Sequence, residues 1–268
     1  MGNIRTFLKA QALTRLPDSW LRALKIRHYE RILTSFDEAD EPDLTIVRQL
    51  VVPETTAIDL GANIGVYTKV LSSLTGSKGR VIGVEPVAET FGILSHNVRM
   101  LGMSNVTLVN AAISDRSEMV MIEVPNYESG GANFYQAHVV DGESDAGHTR
   151  RRAQVRSITL DEIAPSDETI SFIKCDVEGH ELKCLAGAES VITKHHPAWL
   201  IEVSGDPDAG NSNARDVFGL LERQGYSGWF FDGQRLHRRR AGDRSTNYFF
   251  LTESQVSGLE NAAPHLLE

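Results

Sequence analysis

Apolar and polar positions along the chain change period several times, and each change predicts an element. Leu8, Leu13, Leu16, Trp20, Leu21 and Leu24 recur at roughly helical spacing, interrupted by Pro17, so residues 1–36 read as two short basic amphipathic helices. The acidic, turn-prone "FDEADEPD" at 36–43 reads as a linker. From Thr55 onward strands and helices alternate. "TTAIDL" is a strand, followed by a helix with Ile64, Val70, Leu71 and Leu74 on one face. "RVIGVEP" is a second strand closed by Pro86, and Phe91, Leu94, Val98 and Leu101 give the stripe of the next helix.

"NVTLVNAAISD" supplies a third strand and "EMVMIEVP" a fourth extended piece. Residues 126–150 are glycine-rich, polar and without period, the signature of a long loop. "SFIKCD" resumes the alternation, with a helix over about 179–193, then the strand "AWLIEVS" and the helix "ARDVFGLLERQG", stopped at Gly225. "GYSGWFFD" and "STNYFFLT" read as an antiparallel pair. Repeated β-α units of this kind predict an open α/β fold, a mostly parallel sheet with helices on both faces.

Composition changes this picture in only a few respects. A net charge of −9 argues against general nucleic-acid binding, where a basic surface supplies most of the affinity. Two cysteines, Cys175 and Cys184, both in segments read as buried, give no disulfide framework and suit a reducing cytoplasm. No apolar run approaches the ~20 residues of a membrane span. Basic residues cluster at 5–31, 149–156 and 235–244. The first cluster admits peripheral membrane contact through the N-terminal helices. The other two would favour an anionic acceptor if they edged the site, and otherwise are solvated faces. The sequence carries no signal for oligomeric state.

Ligands of open α/β sheets bind beyond the carboxyl ends of the strands. Asp59, Glu85, Asn110, Asp176 and Glu202 all fall at such ends. Within "IDLGANIGVYT", Gly61 and Gly65 let the backbone turn sharply and approach a ligand at a helix start. Glu85 ends the second strand about 20 residues later, where an acid meets ribose hydroxyls. Asn63 stands where a dinucleotide site carries its middle glycine, and Asp59 disfavours a phosphate dianion. A cofactor with an ammonium group and no phosphate fits better, and S-adenosylmethionine answers that description.

Taken together, "IDLGANIGVYT", "VIGVEP", "NVTLVNAAISD", "ITLDEI", "FIKCDVEGHELKCLAGA" and "LIEV" resemble, in order and spacing, the FkbM family of S-adenosylmethionine-dependent methyltransferases over about residues 50–252. The resemblance implies a class I methyltransferase (Rossmann-like) α/β fold with a mostly parallel seven-stranded sheet, preceded here by a helical extension over 1–40. The methyltransferase domain would occupy 41–255, with 126–150 as substrate loop and 256–268 as a tail. It also implies O-methylation of a hydroxyl on a sugar, glycan or polyketide-type product. By the same resemblance, Asp59, Gly61, Asn63 and Gly65 would hold the methionine end of the cofactor, with help from Thr68. Glu85 would take the ribose, and Asn110 with Ala111 would flank the adenine.

"CDVEGHE" carries the acceptor-side candidates. Asp176 ends a strand, Gly179 permits a turn, and Glu178 and His180 project from it. Asp176 and Glu178 are the favoured polar pair, and His180 is the alternative general base. Glu181 suits the positive end of the following helix. Asp176, Glu178 and Glu202 form an alternative magnesium set, but the spacing lacks an adjacent Asp pair and no metal is expected. His195–His196 reads as a helix end before Pro197. Two other readings stay open at this stage: a methyltransferase-like binding module without catalysis, and an NAD-dependent oxidoreductase.

Overall fold

The computed structural model describes residues 18–124, 138–140 and 151–268. In chain order the strands are β1 (Thr56–Leu60), β2 (Arg80–Val84), β3 (Val106–Val109), β4 (Ala112–Ile113), β5 (Met119–Val124), β6 (His138–Val140), β7 (Arg151–Ile158), β8 (Ile170–Cys175), β9 (Ala198–Glu202), β10 (Tyr226–Phe231), β11 (Leu236–Arg238) and β12 (Asn247–Thr252). The α-helices are α1 (Asp18–Thr34), α2 (Leu44–Leu50), α3 (Val66–Thr75), α4 (Ala88–Met100), α5 (Leu160–Ile163), α6 (Glu181–Ala186), α7 (Glu189–His195), α8 (Asn213–Arg223) and α9 (Glu253–Ala262).

Eight strands form one sheet in the order β11-β10-β12-β9-β8-β1-β2-β3. Strands β9, β8, β1, β2 and β3 run parallel, while β12 lies antiparallel to both β9 and β10. The predicted α/β class and the antiparallel terminal pair are present. The seven-stranded expectation falls one short, because β11 turns back on β10 as a hairpin that no apolar alternation announces. A second sheet, β4-β7-β5-β6, packs beside the first. It divides "NVTLVNAAISD" into two strands and makes the basic stretch at 151–158 a strand, neither of which the sequence reading contained.

β1 is buried at all five positions, as a central strand covered on both faces must be. Ile58 and Leu60 face α6, α7 and α8 in one apolar cluster with Ile173, Cys175 and Trp199. Ala57 faces the opposite cluster, with Phe172 of β8, Tyr67 and Leu71 of α3, and Leu44 of α2. Truncating a fully buried phenylalanine such as Phe172 to alanine removes about 3–5 kcal/mol. The helix expected over 179–193 is two helices that break at Gly187. A Cβ there would stand 2.1 Å from the Ser114 carbonyl oxygen.

Residues 1–17, including the first predicted helix, lie outside the described residues, as does 126–150 apart from the strand His138–Val140. α1 packs across α4, with Lys25 Nζ paired to Glu89 Oε1 at 2.6 Å. Residues 256–268, expected as a tail, are instead α9 and a 3-10 turn at Pro264–Leu266. Leu259, Ala263 and Leu266 are buried against the α2 side of the core. Among the described residues no helix is long and apolar enough to cross a membrane.

Candidate active site

The chain leaves β1 for β2 and β3 on one side and returns to β8 on the other, so a crevice opens between the β1 and β8 loops. The β1 turn is built on alternating left-handed residues: Gly61 (φ 76°), Asn63 (φ 49°) and Gly65 (φ 98°). Asparagine is the side-chain-bearing residue that most readily adopts this conformation, which explains its presence at the position of a glycine. Gly61 has a further requirement. A Cβ there would lie 1.8 Å from the carbonyl oxygen of Asp176, so only glycine lets the two loops meet.

The same turn fixes Glu85. Its Oε2 accepts the Asn63 amide at 3.1 Å and its Oε1 accepts the Val87 amide at 2.9 Å. Burial pushes its carboxyl up to about 7, although the two amides pull the other way. Asn110 lies behind this segment, donating from Nδ2 to the carbonyls of Glu85 and Pro86 at 2.8 and 3.1 Å. Asp59 is buried, and burial raises its carboxyl. Its Oδ2 accepts from Thr68 Oγ1 at 2.6 Å, while Oδ1 has no hydrogen-bond partner. Thr68 is itself fully buried. Its expected role toward a cofactor carboxylate gives way to support of Asp59, because its hydroxyl proton is already committed.

On the other side of the crevice, "VEGH" makes a tight left-handed turn with Glu178 at φ 52° and Gly179 at φ 90°. A glutamate in this conformation is strained by roughly 1–2 kcal/mol. Glu181 holds the turn from below: it is buried, accepts the Gly179 amide at 2.7 Å and accepts from Asn213 Nδ2 at 3.3 Å. Burial, then the nearby Asp176 carboxylate, pushes Glu178 up to about 7. His180 Nε2 lies 2.9 Å from Ser114 Oγ, which in turn donates to Asp115 Oδ1 at 3.0 Å. Asp176 Oδ2 accepts from Lys174 Nζ at 2.8 Å.

Groups from both loops border one cleft. Gly61, Asn63 and Glu85 line one side and Asp176, Glu178 and His180 the other. Between them runs an apolar wall of Pro86, Ala111, Ala112, Ile113, Ile122 and Val139. Of the sequence-predicted residues, Asp59, Gly65, Thr68 and Asn110 do not line it. Gly65 faces Leu94 instead, which a Cβ would approach to 2.8 Å.

The sequence reading missed Lys174, although a lysine inside the apolar run "SFIKCD" was a visible signal. It also missed the wall from β5 and β6, for which no local signal exists. Among the described residues no three His, Cys, Asp or Glu side chains are grouped as around a metal ion. Asp176, at the centre of the alternative magnesium set, instead bonds to the lysine. Four of the arginines considered for an anionic acceptor are engaged with carboxylates. Arg151 pairs with Glu89 and Arg152 with buried Glu123, Arg239 bonds Asp208, and Arg244 bridges Asp206 and Asp208.

The chain is similar to several known proteins. The family model described as the methyltransferase FkbM domain matches residues 59–227, more than half of the chain. A curated relative, the hexuronic acid methyltransferase AglP of Haloferax volcanii, is 27% identical over 139 residues, which are 50% of this chain and 50% of that protein. The chain thus spans about half the length of that relative. Among solved structures, an FkbM methyltransferase from Methylobacillus flagellatus KT is 20% identical with a TM-score of 0.47, covering 92% of this chain and 58% of that one. A SAM-dependent methyltransferase from Aquifex aeolicus is 16% identical with a TM-score of 0.40, covering 78% and 87%. With the family model reaching from Asp59 at the end of β1, across both sides of the crevice, to Ser227 in β10, the chain belongs to the FkbM methyltransferase family.

Proposed function

We propose that the protein is an S-adenosylmethionine-dependent O-methyltransferase whose acceptor is a hydroxyl of a sugar or glycan. One observation carries this reading. A single cleft has a buried, amide-held carboxylate at one side, Glu85, and a carboxylate on a strained turn at the other, Glu178, both raised to about 7. The residues fit the family's cofactor. Glu85 can accept two vicinal hydroxyls, the wall from Pro86 to Ile113 suits a flat purine, and the orphaned Asp59 Oδ1 leaves a buried negative atom behind the glycine turn.

When bound, S-adenosylmethionine supplies an electrophilic methyl on a sulfonium with an excellent leaving group. The protein's remaining tasks are to align the acceptor oxygen and to remove its proton. Glu178, with a carboxyl near 7, is basic enough to take that proton yet largely ionised just above neutrality. Asp176, held by Lys174, orients the hydroxyl. His180 lies beside both and is the alternative base. The sugar class is supported by the name of the Haloferax volcanii relative, a hexuronic acid methyltransferase. A polyketide-type hydroxyl is the second acceptor class compatible with the family.

Calorimetry with S-adenosylmethionine and NAD tests the cofactor, and transfer of labelled methyl to a panel of free and linked sugars tests the reaction. Binding of NAD, or of neither compound, overturns the reading. Cofactor binding without transfer to any hydroxyl would favour a binding module.

A further inference from the structure

Lys174 is the one charged residue of β8, and it does not line the cleft. Register explains where it goes. Parallel pairing of β8 with β1 sets Lys174 opposite Asp59, so both point to the α3 face of the sheet. Its side chain is 12% exposed, and Nζ lies 2.8 Å from Asp176 Oδ2 and 4.8 Å from the centroid of the Tyr67 ring. The charged groups that face it are all carboxylates: Asp59 of β1, Asp176 and Glu178 after β8, and Glu202 of β9. Glu41 and Asp43, just before α2, complete the set. Tyr67 donates from its hydroxyl to Glu41 at 3.3 Å, and Asn247 of β12 donates to Asp43 at 2.7 Å. Burial disfavours the ammonium, yet these carboxylates outweigh it and raise Lys174 above the ordinary lysine value.

We infer that Lys174 is a positioning residue that serves both sides of the site: its ammonium orients Asp176 toward the acceptor and sets a positive charge against Asp59 behind the cofactor turn. This rests on the cofactor reading proposed above. An adjacent opposite charge typically lowers a carboxyl pKa by about 1–3 units. Without the ammonium, Asp59 takes up its proton at higher pH, and a neutral Asp59 no longer balances a cationic ligand. A lysine that merely filled space would weaken binding equally at every pH.

The test is calorimetric binding of S-adenosylmethionine to the full chain as a function of pH, for wild type, Lys174→Met and Lys174→Arg. Glu85 titrates in all three, so the readout is the displacement of the binding midpoint between them. Lys174→Met should move that midpoint upward by about one unit or more. Its loss of affinity should be at least ~tenfold near pH 6 and shrink to ~threefold or less near pH 9. Lys174→Arg should keep the wild-type midpoint. A Lys174→Met midpoint that does not move overturns the assignment. If that variant does not fold, a displaced midpoint in Lys174→Arg does so. A wild-type chain that fails to bind the cofactor overturns the reading on which the inference rests, whereas a binding wild type with an unmoved variant overturns the lysine's role alone.

Discussion

Asn63 and Glu85, 22 positions apart, are joined by a 3.1 Å hydrogen bond from the backbone N–H of the asparagine to Oε2 of the glutamate. The left-handed turn after β1 thereby sets the orientation of the acid that ends β2. Backbone geometry at one loop and side-chain chemistry at another become one unit.

Replacing Glu85 by glutamine should weaken S-adenosylmethionine binding by at least ~1.5 kcal/mol, about tenfold, the scale of a charge-assisted hydrogen bond. Unchanged affinity in calorimetry would remove the ribose assignment.

Glu85 also predicts a pH dependence of stability. Its folded value of about 7 lies above the ordinary 4.5, so the folded chain holds the proton more tightly. The associated stabilisation is complete below the unfolded value and is lost as pH rises through about 7, an effect of about 3 kcal/mol. Thermal melts of the cofactor-free protein between about pH 5 and about pH 8 should show a decline that is shallower in Glu85→Gln. Parallel slopes in the two proteins would contradict it.

Glu178→Gln and Asp176→Asn should each cut turnover by ~10²-fold or more while leaving cofactor affinity within ~threefold. The wild-type rate should rise through about pH 7 as Glu178 ionises, and Glu178→Gln should flatten that limb. If His180→Ala alone abolishes turnover and the limb, the histidine is the base and the carboxylates position.

Gly61→Ala and Gly179→Ala separate close approach from backbone strain. Both glycines have positive φ, but an added Cβ meets the Asp176 carbonyl at 1.8 Å in the first case and nothing within 4 Å in the second. Gly61→Ala should lose at least ~3 kcal/mol in urea unfolding, and Gly179→Ala about 1–2 kcal/mol. Equal losses would contradict the contact.

Asn63→Gly should be close to neutral for stability and cofactor binding, since the position contributes an amide and a left-handed φ. Asn63→Val, β-branched and ill-suited to that φ, should cost ~2 kcal/mol or more in the same unfolding assay. A stable valine variant would mean that the turn is not held in the left-handed region.

Much of this protein was legible in the sequence, because the signals were local. Strand and helix periods, the glycine turn, the strand-end acids and the "DVEG" stretch depend on neighbouring residues, and the α/β class with its crevice between the β1 and β8 loops follows from their order. What the sequence left undecided depends on which distant groups meet. Thr68 reads as a ligand-facing hydroxyl beside a glycine turn, but helix packing turns it to Asp59 at 2.6 Å. Lys174 reads as one charged residue in a mostly apolar strand, and only the β1–β8 register sets it against Asp59 and Asp176. The second sheet, the Ile122 and Val139 wall and the pairing of the loop arginines with Asp206 and Asp208 arise from contacts between segments far apart in the chain. Sequence patterning fixes which face of an element is apolar. Burial, charge pairing and the raised carboxyls of Glu85 and Glu178 are set by which other elements come to cover that face, and so belong to the tertiary structure alone.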